Sequence, residues 1–119
     1  MEKKQLINYV NTHFKGNLNN GNTSYSQINK AKAVWWFNIR VSRFDEDVHL
    51  FLNAIDYSIW ITLPKGFVSK LSGTFKIRKD KNAVDLEIWA EKDERYLLDV
   101  KSGGTGFNFN PLVKETINH

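Results

Sequence analysis

Two acids and a lysine in the C-terminal third of the chain have types and spacing suited to metal-assisted chemistry. Thirteen residues separate Asp85 from Asp99, and Lys101 follows Asp99 after one intervening residue. Carboxylate oxygens are the protein ligands that Mg²⁺ prefers, and a bound divalent ion makes its water more acidic. Two carboxylates and an ammonium held together would therefore suit attack of a polarised water on a phosphodiester.

The segments around these residues predict the elements that would bring them together. Ala83–Ala90 and Tyr96–Lys101 are rich in alternating apolar residues and are predicted as strands, and the charged segment 91–95 between them is predicted as a turn. In a hairpin, Asp85 and Asp99 would come from adjacent strands. Lys101 would lie on the same face as Asp99, two residues further on.

This spacing resembles the PD-(D/E)xK nuclease superfamily, whose core hairpin carries an Asp on one strand and a Glu/Asp-x-Lys on the next. The resemblance covers about twenty residues, 83–103. It implies that Asp85 and Asp99 bind Mg²⁺ and that Lys101 helps to generate the attacking hydroxide. The third position is Asp where Glu is commoner in that superfamily, and only eighteen residues follow Lys101.

A structural interpretation of the same residues requires no metal. Asp85, Glu87 and Asp99 alternate with apolar residues and are the polar side expected of a solvent-facing hairpin. Clusters of ionisable side chains are often only structural. The sequence leaves both interpretations open.

A second candidate site is a basic and aromatic tract between residues 30 and 43. The tract contains four cations and no acidic residue, and the cations flank two adjacent tryptophans. These residues are Lys30, Lys32, Trp35, Trp36, Arg40 and Arg43. On a strand the two indoles must point to opposite faces, which predicts one in the core and one exposed or at an edge. An exposed indole beside cations suits base stacking with phosphate neutralisation, and packing of both rings is the alternative.

A third candidate is a run of lysines and arginines further along the chain. Lys76 and Arg78 would share one face of a strand, and Lys79 and Lys81 would extend the positive charge through a turn. Such a ribbon suits phosphate contacts. The alternative is a solvated edge whose charge prevents aggregation.

The chain as a whole predicts an α+β domain spanning residues 1–119. Leu6, Ile7, Val10 and Phe14 form one apolar stripe of a helix over Glu2–Phe14, and a short helix is predicted near Pro111–Ile117. Between them, six or seven short strands at spacings of about ten residues predict a largely antiparallel sheet, curved or partly closed. The predicted strands are 34–41, 48–53, 58–63, 74–78, 83–90, 96–101 and 107–109.

Composition limits the class of protein. The chain has 119 residues, 41% of them hydrophobic, and no cysteine, which excludes disulfides and thiolate chemistry. No apolar run reaches the roughly 18–20 residues of a membrane span, so neither a membrane nor an exported location is expected, and the prediction is cytoplasmic. The net charge of +4 is arranged in blocks, positive in 1–44 and 57–81 and negative in 45–56 and 82–99. A basic face of this kind attracts polyanions.

Three functions follow, from three different classes. The favoured one is a small nucleic-acid-binding domain, for DNA rather than RNA, that uses a basic-aromatic sheet face and needs no cofactor. The second is a Mg²⁺-dependent nuclease built on Asp85, Asp99 and Lys101. The third is a protein-interaction module, such as a phage or mobile-element inhibitor or adaptor, with Trp36, Trp60 or Trp89 as anchors. The balance favours a binding protein over an enzyme.

Overall fold

The computed structural model describes all residues from Met1 to His119 and has one helix and seven strands. The elements, in chain order, are α1 (Lys3–His13), β1 (Thr23–Gln27), β2 (Val34–Arg40), β3 (Val48–Asn53), β4 (Tyr57–Leu63), β5 (Lys76–Arg78), β6 (Ala83–Trp89) and β7 (Val113–Asn118). Short 3₁₀ turns cover Val41–Asp45, Leu71–Gly73 and Asn110–Leu112. The α+β class is therefore confirmed. The helix is not long and apolar enough to cross a bilayer.

The strands form two sheets. Sheet A has the order β1-β3-β4-β7, and sheet B has the order β2-β6-β5. Four of the five strand pairs are antiparallel, and only β1 and β3 run parallel. The prediction of one partly closed sheet is wrong, because the strands form two separate sheets and neither of them is closed.

The main core lies between the two sheets. Alternate residues of β3 and β4, such as Leu50 and Ile61, meet alternate residues of β2 and β6, such as Phe37 and Leu86. The opposite face of sheet A is covered by α1, which gives the layer order α1, sheet A, sheet B. Because sheet A is covered on both faces, β3 and β4 are buried along nearly their whole length.

Helix α1 begins and ends through local side-chain bonds. At its start the backbone N–H of Glu2 donates to Oε1 of Gln5 over 2.8 Å, in a capping-box arrangement. After its end, the side chain of Asn11 exchanges hydrogen bonds of 2.8 and 2.9 Å with the backbone of Leu18, which reverses the chain. Leu6 and Val10, one turn apart, are buried against sheet A and fix the helix on it.

The predicted C-terminal helix at Pro111–Ile117 is wrong. Pro111 lies in the 3₁₀ turn, and Val113–Asn118 is strand β7, which pairs with β4. Three of the six residues of β7 are β-branched, and Ile117 is buried in the cluster beneath α1. Pairing with the free edge of β4 and the burial of Ile117 stabilise a strand here more than Pro111 favours the start of a helix.

The second strand of the predicted hairpin is also only partly formed. Residues 96–101 run beside the end of β6 and are joined to it by one isolated bridge, between Ile88 and Asp99, and by three backbone hydrogen bonds of 2.8 to 3.0 Å that involve Leu97, Leu98 and Val100. Leu97 has a positive φ of 65°, which interrupts the extended backbone. The predicted strand at 107–109 is likewise reduced to one bridge, between Leu98 and Asn108.

Candidate functional site

The outer face of sheet B carries five of the residues that the sequence analysis singled out: Trp36, Arg40, Lys76, Arg78 and Asp85. Since side chains alternate along a strand, the residues that do not face the core all point outwards. The polar and charged residues among them, together with Trp36, are called the outer face from here on: Trp36, Asn38, Arg40, Lys76, Arg78, Asp85 and Glu87. No further layer of secondary structure covers this face, so it is the surface that the fold leaves open to a ligand.

Asp85 is the buried centre of the outer face. Only 4% of its surface is exposed, because Asn38 lies opposite it on β2 and Lys76 lies opposite it on β5. Its Oδ1 accepts a hydrogen bond of 2.6 Å from Nε1 of Trp36, and its Oδ2 lies 3.5 Å from Nζ of Lys101. The predicted proximity of Asp85 and Lys101 is confirmed, and the carboxylate also orients an exposed indole.

Asp99 has a different environment from Asp85. Its Oδ1 accepts hydrogen bonds from the backbone N–H groups of Glu87, at 3.2 Å, and Lys101, at 3.1 Å. The first bond joins the segment after residue 96 to β6, and the second is local to that segment. The residue is 3% exposed, and its buried Oδ2 has no hydrogen-bond partner. A Cβ added to Gly104 would lie 2.6 Å from that oxygen, so any other residue here would require the Asp99 carboxylate to shift.

Burial raises the pKa of Asp99, and the neighbouring carboxylates of Glu87 and Asp85 raise it further, against the two backbone bonds that lower it. The folded protein therefore binds this proton at a higher pH than the unfolded chain. We expect the contribution of Asp99 to the free energy of unfolding to increase as the pH falls from neutral through the raised pKa towards the unfolded value near 3.8.

Urea denaturation of the wild type and Asp99→Asn between pH 7 and pH 4 measures this contribution. The amide keeps an acceptor for the two backbone N–H groups but has no proton to gain. The stability of the wild type relative to the variant should rise as the pH falls. A difference that stays constant with pH would contradict the raised pKa.

The charges around Asp85 are balanced by ion pairs. Lys32 lies 2.7 Å from Oε1 of Glu87, and Lys101 lies 3.7 Å from Oε2 of the same residue. No group of three His, Cys, Asp or Glu side chains is placed to share a metal ion. In the structure, Asp85 holds the indole of Trp36 in place, and Asp99 helps to hold the segment after residue 96 against β6.

Ion pairs and packing also occupy several of the predicted phosphate contacts. Lys32 is paired with Glu87, and Arg78 is paired with Asp80 at 3.1 Å. The side chain of Lys76 lies across Gly103, within 2.9 Å of where a Cβ would be. Lys30 precedes β2 and is therefore at the opposite end of that strand from Arg40, while Lys79 is an exposed residue of the β5–β6 turn. The structure does not bring these residues together into one site.

Four other cations do converge. Lys3, Arg40, Arg43 and Lys81 line one polar cleft of about 640 Å³, called the basic cleft here. Three of them were predicted, and Lys3, from the start of α1, was not. None of the four forms an ion pair, and the single acid in the lining, Asp80, is bonded to Arg78. The basic cleft therefore has an excess of positive charge.

Burial and the nearby charge of Arg43 lower the pKa of Lys3. The two cations therefore lie close enough to repel one another across the cleft. Polar side chains complete the lining: Asn20, Thr23, Ser24 and Asn38. Such an arrangement of donors and uncompensated cations is suited to an anion with several acceptor oxygens, such as a phosphate.

A second concavity, called the Trp36 groove here, continues from the basic cleft. It has a volume of about 560 Å³, and the two share Lys3, Ser24 and Asn38. Trp36 is 44% exposed at its far end, whereas Trp35 is completely buried, which confirms that the two indoles point to opposite faces. Nδ2 of Asn38 is buried without a partner where the concavities meet. The site therefore combines an aromatic surface with cations.

The other two tryptophans considered as protein anchors are largely engaged within the chain. Trp60 is 9% exposed and belongs to the cluster beneath α1. Trp89 donates to Asp93 over 3.0 Å and is covered by the guanidinium of Arg95, 3.9 Å from its ring centroid. Trp36 is the tryptophan with the most accessible surface.

Comparison with protein-family models, curated proteins and solved structures gives no match for this chain. The functional argument therefore depends on the geometry and chemistry of the outer face and the basic cleft.

Proposed function

We propose that this chain is a nucleic-acid-binding domain whose phosphate contacts are in the basic cleft. The observation that supports this most strongly is the set of four cations, Lys3, Arg40, Arg43 and Lys81, that line one cleft without an ion pair. Structural lysines and arginines are usually paired or dispersed in solvent. Here the fold brings like charges together, and a polyanion would remove the resulting repulsion.

Trp36 favours a nucleic acid over a small inorganic anion. The indole lies at the end of the groove that opens from the basic cleft, and its bond to Asp85 restricts its orientation. A phosphate alone would use only the cations. A nucleotide chain would use both parts, because its bases stack on aromatic rings while its phosphates meet lysine and arginine.

The salt dependence of binding tests this function. Fluorescence anisotropy with labelled oligonucleotides, single-stranded and duplex, DNA and RNA, should show that affinity falls between low and physiological salt. With three or four phosphates neutralised, the slope of log affinity against log salt concentration should be about −2 to −4. Including RNA also tests the prediction that DNA is preferred. Affinity that did not change with salt, or no binding even at low salt, would reject the function.

Single substitutions make the same test residue by residue. Arg40→Gln and Lys81→Gln should each weaken binding and reduce the magnitude of the slope by about one, because each removes one phosphate contact. Lys114→Gln is the matched control, since Lys114 is an exposed, unpaired lysine on β7, in the other sheet. Equal losses for the control and the cleft variants would show a general charge effect instead.

A Mg²⁺-dependent nuclease is the second candidate, supported by the 3.5 Å contact between Asp85 and Lys101 and by the unbonded Oδ2 of Asp99. It requires cleavage of an oligonucleotide in the presence of Mg²⁺ that Asp99→Ala abolishes while the circular dichroism spectrum remains native. Absence of cleavage by the folded wild type across a Mg²⁺ titration would reject it without affecting the binding proposal.

A further inference from the structure

The two concavities lie along a seam between the sheets. β1 is an edge strand of sheet A and β2 is an edge strand of sheet B, and the two are connected at one end by the isolated bridge between Ile28 and Trp35. Next to this bridge, the N–H of Trp36 donates to Oγ of Ser26 over 3.1 Å, so a side chain substitutes for a strand partner. Beyond it, towards Arg40, β1 and β2 have no ladder, and the opening between them is the basic cleft.

The shape of this seam decides which nucleic acids fit it. A protein that reads a duplex inserts a protruding helix or ribbon into a groove of the DNA. Here the unpaired cations and the exposed indole line concavities of about 640 and 560 Å³, the size of small-molecule pockets. These concavities are open to solvent, and a ligand that uses both the cations and the indole must reach into them. An unpaired strand can do so, whereas the phosphates of a duplex are held apart by its width.

The residues that line the two concavities also favour a single strand over a duplex. A base can stack on Trp36 only if it is not already stacked and paired within a duplex. The bond from Nε1 of Trp36 to Asp85 holds the ring in place before the ligand arrives, so little ordering is needed on binding.

We infer that the ligand is a single-stranded nucleic acid, with several of its phosphates in the basic cleft and a neighbouring base on Trp36. This inference rests on the proposed function and specifies its substrate class. Arg40 lies four residues beyond Trp36 on β2, about 13 Å along an extended strand. At about 3.4 Å per stacked nucleotide, the site covers roughly four nucleotides or fewer.

The experiment compares a labelled 12-nucleotide single strand with the corresponding 12-base-pair duplex, using anisotropy at one fixed low salt concentration. The wild type should bind the single strand at least about tenfold more tightly than the duplex. Trp36→Ala should weaken single-strand binding roughly 5- to 100-fold and leave duplex binding unchanged. Trp36→Phe, which keeps a ring for stacking, should recover most of the loss.

The control for folding is the circular dichroism spectrum and urea midpoint of each variant, because Trp36 also bonds to Asp85. If Trp36→Ala is not folded, the quenching of tryptophan fluorescence on binding is compared between Trp36→Phe and the wild type. A base stacked on Trp36 should quench the wild type more than the variant. Duplex binding equal to or tighter than single-strand binding, with Trp36 variants unchanged, would overturn the inference and leave the proposed function standing. Binding of neither oligonucleotide would reject the proposed function itself.

Discussion

Arg43→Glu is expected to weaken single-strand binding by about 10- to 100-fold while leaving the fold intact. A charge-assisted hydrogen bond contributes about 1.5–3 kcal/mol, and each 1.4 kcal/mol corresponds to a factor of ten in affinity. Arg43 lies on the 3₁₀ turn after β2, opposite Lys3 across the basic cleft. The substitution removes a phosphate contact and places a negative charge near the bound phosphate. Anisotropy at low salt measures the loss.

The same substitution should not reduce stability, and this distinguishes a binding residue from a structural one. In the free protein Arg43 repels Lys3 and lowers its pKa. A carboxylate in its place would attract Lys3, so the free energy of unfolding should stay the same or rise by up to about 1 kcal/mol. Lys114→Glu, with the same change of charge on β7, is the control. A parallel loss of stability and binding would mean that Arg43 serves the fold.

Trp35→Ala is expected to cost about 3–5 kcal/mol of the free energy of unfolding, the cost of truncating a large buried aromatic side chain. The indole is completely buried in the core between the sheets, and its Nε1 donates to the carbonyl oxygen of Asn53 over 2.9 Å. It therefore connects sheet B to the end of β3 in sheet A. For a domain of this size the loss is a large fraction of total stability.

The neighbouring residue provides the comparison. Trp36→Ala should cost less, about 1–3 kcal/mol, because the ring is 44% exposed and its main internal contact is one hydrogen bond to the buried Asp85. Trp35→Phe should be intermediate, since it keeps a buried ring but removes the donor to Asn53. Urea denaturation, with the m-value checked for constancy, measures all three. Equal destabilisation by the two alanine variants would contradict the assignment of faces.

The elements that could be predicted from sequence have strong local patterns. The apolar stripe that includes Leu6 and Val10 indicates α1, and the adjacent Trp35 and Trp36 must diverge on any strand. Alternation along β6 likewise predicts that Asp85 and Glu87 share a face. These features depend on the periodicity of neighbouring residues, which a single sequence contains.

The missed elements depend on distant partners. β1, Thr23–Gln27, is a polar segment without apolar alternation, and it becomes a strand because β3 offers it a parallel edge. Val113–Asn118 follows a proline that favours a helix start, yet it pairs with β4. Whether strands form one sheet or two is likewise decided by pairings between segments far apart in the chain, and local composition does not contain this information.

For the site, residue types were predictable but their partners were not. Lys32 and Arg78 have the right chemistry for phosphate contacts, but Glu87 and Asp80 neutralise them. Lys3 was missed because nothing in its neighbourhood marks it, and the packing of α1 on sheet A brings it to the cleft. A sequence shows which charges exist, and the fold determines which of them are paired.

The seam between β1 and β2 also has a consequence for the lifetime of the protein. Where two edges are connected by one bridge and one hydroxyl, local opening requires little free energy, and opened backbone is what proteases cleave. A ligand that contacts both edges stabilises the closed form in proportion to the logarithm of its concentration. Empty molecules would then be degraded faster than occupied ones, so the amount of this protein would follow the supply of its ligand.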